Sequence, residues 1–438
     1  MSLSSIKTPL SSATQLSIGN IDPVNKEVSD LKPETISVDT QLVDGGPRGY
    51  LTTLGAFLAC FATFGQVNAF GSYQAWYAEH QLSSYSSSEI SWIGSVQLWA
   101  LFFSSAFIGR LFDAYGPKAL LLSGTVVYVF SIMITSIASR YYEFMIAQGL
   151  IFGVGAGLVY SPAVSATATH FIRYRATATS LAMAGGGVGG VVFPILFQHL
   201  SEKMGFAWAI RISGFISLAC CFVSCITISS RLQPQKPGPW VDTTSFRDVK
   251  FMIQTAGFCV SCFGLFVPWT YIVQYAQSRS ISPALSFVVL SVLNGAGMFG
   301  RLAPGYAADK LGRFNTMVPS MFLTGLVCVT LWFNAHDFPT LVAFAVLYGI
   351  FGGAVMGLDV ACVAEISQID QIGARVGMTY AFASFPCLVG SPIAGALLSV
   401  EREGFNALII YTGVASLVAS GLFLTVRLMI NRSMLAVV

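Results

Sequence analysis

The strongest constraint on this chain is a series of apolar runs, each about 20 residues long, the length that crosses a bilayer as a helix. Six such runs lie near 50–76, 90–112, 118–138, 143–167, 177–200 and 208–229. Six more lie near 251–275, 283–305, 315–334, 338–362, 374–397 and 405–428. In hydrocarbon every backbone N–H and C=O must be satisfied within the segment, so runs of this kind become α-helices. Composition agrees: 54% of residues are hydrophobic and only 10% are charged, where a soluble domain carries about a quarter charged. The expected fold class is an all-α polytopic membrane protein with twelve transmembrane helices.

A second feature arranges those helices. Residues 294–313, NGAGMFGRLAPGYAADKLGR, leave an apolar run through Gly305-x-x-x-Asp309-x-x-Gly312-Arg313. The same pattern occurs as Gly109-x-x-x-Asp113-x-x-Gly116, followed by Pro117 and Lys118, 196 residues earlier (305 − 109). Ile151-Phe152-Gly153 returns as Ile350-Phe351-Gly352, and Arg175 as Arg375. Echoes at a nearly constant offset imply two pseudo-symmetric six-helix bundles, 44–230 and 251–428. The polar stretch 231–250 reads as the linker between them, 1–43 as a disordered cytosolic tail and 429–438 as a short C-terminal tail.

Basic residues orient the bundle. Eighteen Lys and Arg fall on the side of both termini and five on the other, a strong positive-inside bias that puts the termini in the cytosol. The sequon Asn431-Arg432-Ser433 then stays unmodified. A net charge of +3 with no basic low-complexity run gives no footprint for nucleic acid. All nine cysteines lie in apolar segments, where even the Cys259/Cys262 pair reads as packing. No phosphate-binding Gly-x4-Gly-Lys-Ser/Thr motif is present, and the four histidines are too scattered for a metal site. No cofactor, metal or enzymatic activity is expected.

Within the helices, polar side chains are candidates for chemistry. Arg301 stands in or near the membrane, where a guanidinium costs a few kcal/mol or more and therefore faces a partner or a watery cavity. Gln66, Asn68, Gln254, Gln274, Asn294 and Asp359 are the other polar groups of interest. Asp359 has two readings: a proton carrier, or a structural partner of Arg301 or of the backbone. Trp269, Tyr271 and Tyr275 either stack on a planar substrate or belong to an interfacial belt. In the repeated loops, Asp113 and Asp309 are placed to accept from a helix N-terminus or a nearby arginine, latching helices on the cytosolic side.

The repeated loop resembles the signature of the major facilitator superfamily, and the resemblance covers about 45–430. Asp44-Gly45-Gly46-Pro47-Arg48-Gly49-Tyr50 is similar to the acidic-Gly-Gly start of the monocarboxylate-porter family. The stretch from His170 through Arg173, Tyr174 and Arg175 to Gly185–Gly190 resembles that family's fifth-helix signature. Asn68–Tyr77 fits its fungal branch best. The resemblance implies a secondary transporter whose two bundles rock around a site lined by helices 1, 4, 7 and 10. It also implies substrate contacts at Arg301, Asn294, Asn68, Gln66, Trp269, Tyr271 and Asp359, and gating at Asp113, Lys118, Arg175, Asp309, Arg313 and Arg375. Two departures stand out: the first-helix lysine of familiar members is Ser72 here, and the acid one turn before the eighth-helix arginine is Gly297.

These readings together predict a plasma-membrane secondary transporter of a small organic acid, with the export of a fungal natural product favoured. A coupled proton is a further expected partner. Uptake of a monocarboxylate or vitamin-like acid is the alternative within the class, and a non-transporting membrane sensor the alternative outside it. The short C-terminal tail argues against the sensor.

Overall fold

The computed structural model describes residues 45–171, 174–231, 246–367, 372–400 and 404–433 of the 438-residue chain, without the side chains of 113, 175, 176 and 372–374. Twelve helices are long and apolar enough to cross a membrane. The first half contains helix 1 (Gly46–Glu79), helix 2 (Ser87–Phe112), helix 3 (Pro117–Thr135), helix 4 (Tyr141–His170), helix 5 (Thr177–Met204) and helix 6 (Phe206–Thr227). The second contains helix 7 (Val249–Ser278), helix 8 (Pro283–Leu311), helix 9 (Arg313–Trp332), helix 10 (Phe338–Glu365), helix 11 (Arg375–Val400) and helix 12 (Asn406–Ile430). The expected N-terminal tail and positions 232–245 of the expected linker lie outside the described residues.

Local chemistry sets the ends. Val249 and Lys250, expected to close the linker, instead open helix 7. Asp248 caps that helix, accepting from the amides of Lys250 at 3.1 Å and Phe251 at 3.4 Å. Ser86 and Glu89 form a reciprocal capping box at the start of helix 2. Helix 12 continues to Ile430, into the expected tail.

Two spans are broken midway. Helix 1 is interrupted at Ala69 and helix 7 at Phe266, 197 residues apart (266 − 69) in the first helix of each half. Pro268, which has no amide hydrogen, opens the segment after the second break. The outer portion after Ala69 packs on the portion after Phe266. Gly71 permits it: a Cβ there would stand 2.4 Å from the carbonyl oxygen of Trp269.

Glycine ladders bring paired helices together in each half. On helix 4, a Cβ on Gly153 would lie 2.5 Å from the Gln97 carbonyl oxygen of helix 2, and one on Gly157 3.1 Å from that of Leu101. On helix 10, a Cβ on Gly349 would lie 2.3 Å from the Leu293 carbonyl oxygen of helix 8, and one on Gly353 2.5 Å from that of Gly297. Only residues without side chains allow such approach. The two ladders stand 200 residues apart (353 − 153), and so do the faces they meet (297 − 97). This packing register corrects the Ile-Phe-Gly echo, which had paired Gly153 with Gly352; Gly352 faces Trp269 of helix 7 instead. In the packing register Arg301 corresponds to Leu101. The loop motif keeps its offset of 196, so the second half reaches its loop about one helical turn sooner.

The halves meet along helices 2 and 11 and along helices 5 and 8. We call the end that holds the start of helix 1 and the close of helix 12 the near end. At the opposite, far end, Gln274 donates to the Ser87 hydroxyl at 2.8 Å, Gln277 to Glu79 at 3.1 Å, and Ser88 to the Pro392 carbonyl at 2.9 Å. The far end is sealed.

Candidate functional site

Arg301 sits on helix 8 where it crosses helix 5, only 4% exposed. Its Nη1 donates to the Met183 carbonyl across the seam at 3.1 Å, and Nη2 points to the Met356 sulfur at 3.8 Å. Nε is buried without a partner. Gly186 makes room for this placement, since a Cβ there would meet Nη1 at 3.5 Å and the Phe64 Cβ at 2.7 Å. No carboxylate pairs with Arg301 among the described residues. A buried guanidinium with an unmet donor is a ready receptor for an anion.

The guanidinium opens on a cavity of about 20 Å³, room for roughly one water. Helix 1 contributes Cys60 and Phe64 to its wall, helix 2 Phe102, and helix 4 Tyr160. Across the seam helix 7 contributes Phe258, helix 10 Met356 and helix 11 Tyr380. Phe102 approaches Tyr380 at 5.3 Å between ring centroids, joining the two halves. Helices 1, 4, 7 and 10 do line the space, as expected, and helices 2, 5, 8 and 11 complete it. A drug-sized ligand needs about 300–1,000 Å³, so the halves must separate to admit one.

The other expected substrate contacts lie elsewhere. Asn294 is the hub of a structural network: it accepts from Trp269 Nε1 at 2.9 Å and donates to the Gly190 carbonyl at 3.1 Å. Asn68 donates to the Gly186 carbonyl at 3.2 Å, and Gln66 accepts from the Tyr73 hydroxyl at 2.5 Å. Tyr271 is fully buried and donates to the Ser391 carbonyl at 3.0 Å, while Tyr275 donates to the Ala335 carbonyl at 2.8 Å. Both tyrosines are therefore packed core groups here, outside the cavity wall. Asp359 does not pair with Arg301; it accepts from Gln254 Nε2 at 3.3 Å. Of the residues expected to touch substrate, Arg301 alone lines this cavity. Its aromatic neighbours were missed, because an aromatic in an apolar run looks the same whether it faces lipid or a seam.

The near end departs from the expected latch. Arg313 pairs with Glu365 of helix 10, not with Asp309, which is exposed and does not cap helix 9. Arg375 is buried, pairs with Asp248 at 2.8 Å, donates to the Ile366 carbonyl at 2.9 Å and lies over the Phe251 ring. Both ion pairs stay within the second half. Lys118 is exposed, and the side chains of Asp113 and Arg175 lie outside the described residues.

Sequence comparison decides the family. The pattern of the Major Facilitator Superfamily matches residues 53–333 and 302–433. The chain belongs to the major facilitator superfamily. Among curated members of this superfamily, the aspyridones efflux protein of Emericella nidulans is 39% identical over 383 residues, covering 87% of this chain and 78% of that protein. The fujikurins efflux protein of Gibberella fujikuroi is 33% identical over 389 residues, covering 88% and 84%. MFS-type transporter 1 of an Ophiocordyceps species is 34% identical over 410 residues, covering 92% and 91%. The chain is thus an integral membrane transporter of the major facilitator type, and relatives of this superfamily that are named as efflux proteins for natural products span nearly its whole length.

Proposed function

We propose that this transporter exports an acidic, largely apolar natural product by alternating access, with Arg301 holding the anionic group. The observation that carries this reading is the unpaired guanidinium, buried at the seam between the halves against aromatic walls. Arginine stays charged at any working pH, so it needs an anion to balance it when the site closes. Aromatic walls suit a planar conjugated acid. The export direction draws on the relatives named as efflux proteins.

The finer assignments follow from the same reading. The chain belongs with the fungal branch of the monocarboxylate porters, supported by the Asp44–Tyr50 and His170–Gly190 stretches. It sits in the plasma membrane with the near end in the cytosol, supported by the Lys/Arg bias. Asp113, Lys118, Arg175, Asp309, Arg313 and Arg375 gate the near end as the halves rock.

A host cell expressing the chain, loaded with a panel of aromatic carboxylates and their neutral methyl esters, tests the proposal. The acids should leave faster than from control cells and the esters should not. Arg301→Lys should slow export and Arg301→Gln should slow it more, at equal surface expression, because lysine lacks the planar two-point contact. Equal export of acid and ester, or an unaffected Arg301→Gln, would overturn the anion role.

A further inference from the structure

Asp359 is buried on helix 10 at 1% exposure with no counter-ion, and its hydrogen-bonding neighbour is neutral. Oδ1 accepts from Gln254 Nε2 at 3.3 Å. Oδ2 is buried without a partner, and so is Gln254 Oε1. Two unmet acceptors on adjoining side chains lack one thing, a donor. A proton on Oδ2 supplies it.

The surroundings point the same way. The titratable groups near enough to interact are Cys259 and Cys262 on helix 7, Cys362 on helix 10, Tyr380 on helix 11 and Tyr160 on helix 4. Free thiols and phenols of these kinds are neutral at physiological pH. The cations on adjoining helices are turned elsewhere. Gly357 faces Arg301 of helix 8, and Asp359, two residues on, lies about 200° further round the helix. Arg313 at the start of helix 9 is taken by Glu365, and Arg375 of helix 11 by Asp248. Nothing described there compensates a carboxylate.

We infer that Asp359, with Gln254 as its partner, is the proton-carrying residue of the transport cycle. The inference rests on the reading of the chain as a secondary transporter and adds a proton site separate from Arg301. Asp359 follows Met356 of the cavity wall by one turn, and Gln254 precedes Phe258 by one turn, both toward the near end. The pair therefore lies between the cavity and the near-end face. Oδ2 takes a proton from hydronium and returns it to water, forming and breaking only an O–H bond. The neutral acid fits the near end as packed here, with Ser180 of helix 5 against Gly305 of helix 8. The carboxylate requires water, so ionisation favours parting of the near end.

Two measurements need no substrate. In the first, infrared difference spectra of the reconstituted full chain are recorded across a pH titration. The carbonyl stretch of a protonated carboxylic acid, lost as pH rises, should be present in the parent and absent from Asp359→Asn. A band unchanged by that substitution overturns the inference. In the second, Ser180→Cys reports on the near end, because Ser180 is buried against Gly305 where helix 5 meets helix 8. Its labelling by a water-soluble maleimide, above the background of the native cysteines, should rise several-fold from mildly acidic to mildly alkaline pH. The rise should vanish with Asp359→Asn and survive with Asp359→Glu, which also guards against a folding defect. A rise that persists in Asp359→Asn sinks the inference. Failure of acid export with both pH responses intact would sink the proposed substrate class and leave the proton site standing.

Discussion

Arg301 and Asp359 share the contact between helices 8 and 10 only in sequence terms; in space they belong to different sites. Helix 10 turns Gly357 toward the arginine and Asp359 toward helix 7. Substitutions at the two positions should therefore add rather than compensate. Arg301→Gln removes a charged hydrogen-bonding partner, worth about 1.5–3 kcal/mol, or roughly a 10- to 100-fold loss in apparent affinity for an acidic substrate. Adding Asp359→Asn should restore none of it. Recovery of export in the double variant would mean that the two charges neutralise one another in a state unlike this structure. Arg301 was visible in the sequence because a charge in an apolar run is conspicuous. Its actual partner, the Met183 carbonyl, was not, since every residue carries the same carbonyl and only packing selects one.

At the scale of elements, glycine decides which helices touch. The run Gly185–Gly190 on helix 5 serves two neighbours. A Cβ on Gly185 would stand 2.1 Å from the Phe57 carbonyl oxygen of helix 1, while one on Gly187 would stand 2.9 Å from the Met298 Cβ of helix 8. Gly71 has the more consequential position, because its neighbour belongs to the other half. Gly71→Ala should destabilise the sealed far end by about 1–3 kcal/mol, the usual range for overpacking. Maleimide labelling of Ser87→Cys, at the far-end bond to Gln274, should rise at least several-fold in that background. Unchanged labelling would show that the outer portions of helices 1 and 7 do not form the seal. The break at Ala69 left no sequence signal, whereas Pro268 marked the one near Phe266. Likewise the repeated loop offered Asp309 a helix N-terminus or a nearby arginine, yet the arginine beside it, Arg313, pairs with Glu365, 52 residues further along the chain.

For the whole molecule, the sealed far end and the small cavity fit one member of the proposed alternating-access cycle. If the near end faces the cytosol, a reporter fused after Val438 should resist external protease in sealed cells, and digestion would reverse the orientation. If Asp113 and Asp309 gate the near end as proposed, Asp113→Asn and Asp309→Asn should change flux more than binding, since a gate shifts the balance of states without touching substrate; equal flux in both would remove that role. The sequence alone determined the twelve spans, the two halves and the isolated arginine. Each follows from local rules: apolar length demands a helix, repetition demands related halves, and a charge in hydrocarbon demands a reason. The tertiary structure alone decided the rest. Which face of each helix meets a neighbour depends on rotation about its own axis, and in a bilayer both lipid-facing and buried faces are apolar, so no hydrophobic pattern records it. That rotation put aromatic walls around Arg301, tied Asn294, Asn68 and Tyr271 into packing bonds, and turned Asp359 from the arginine to Gln254.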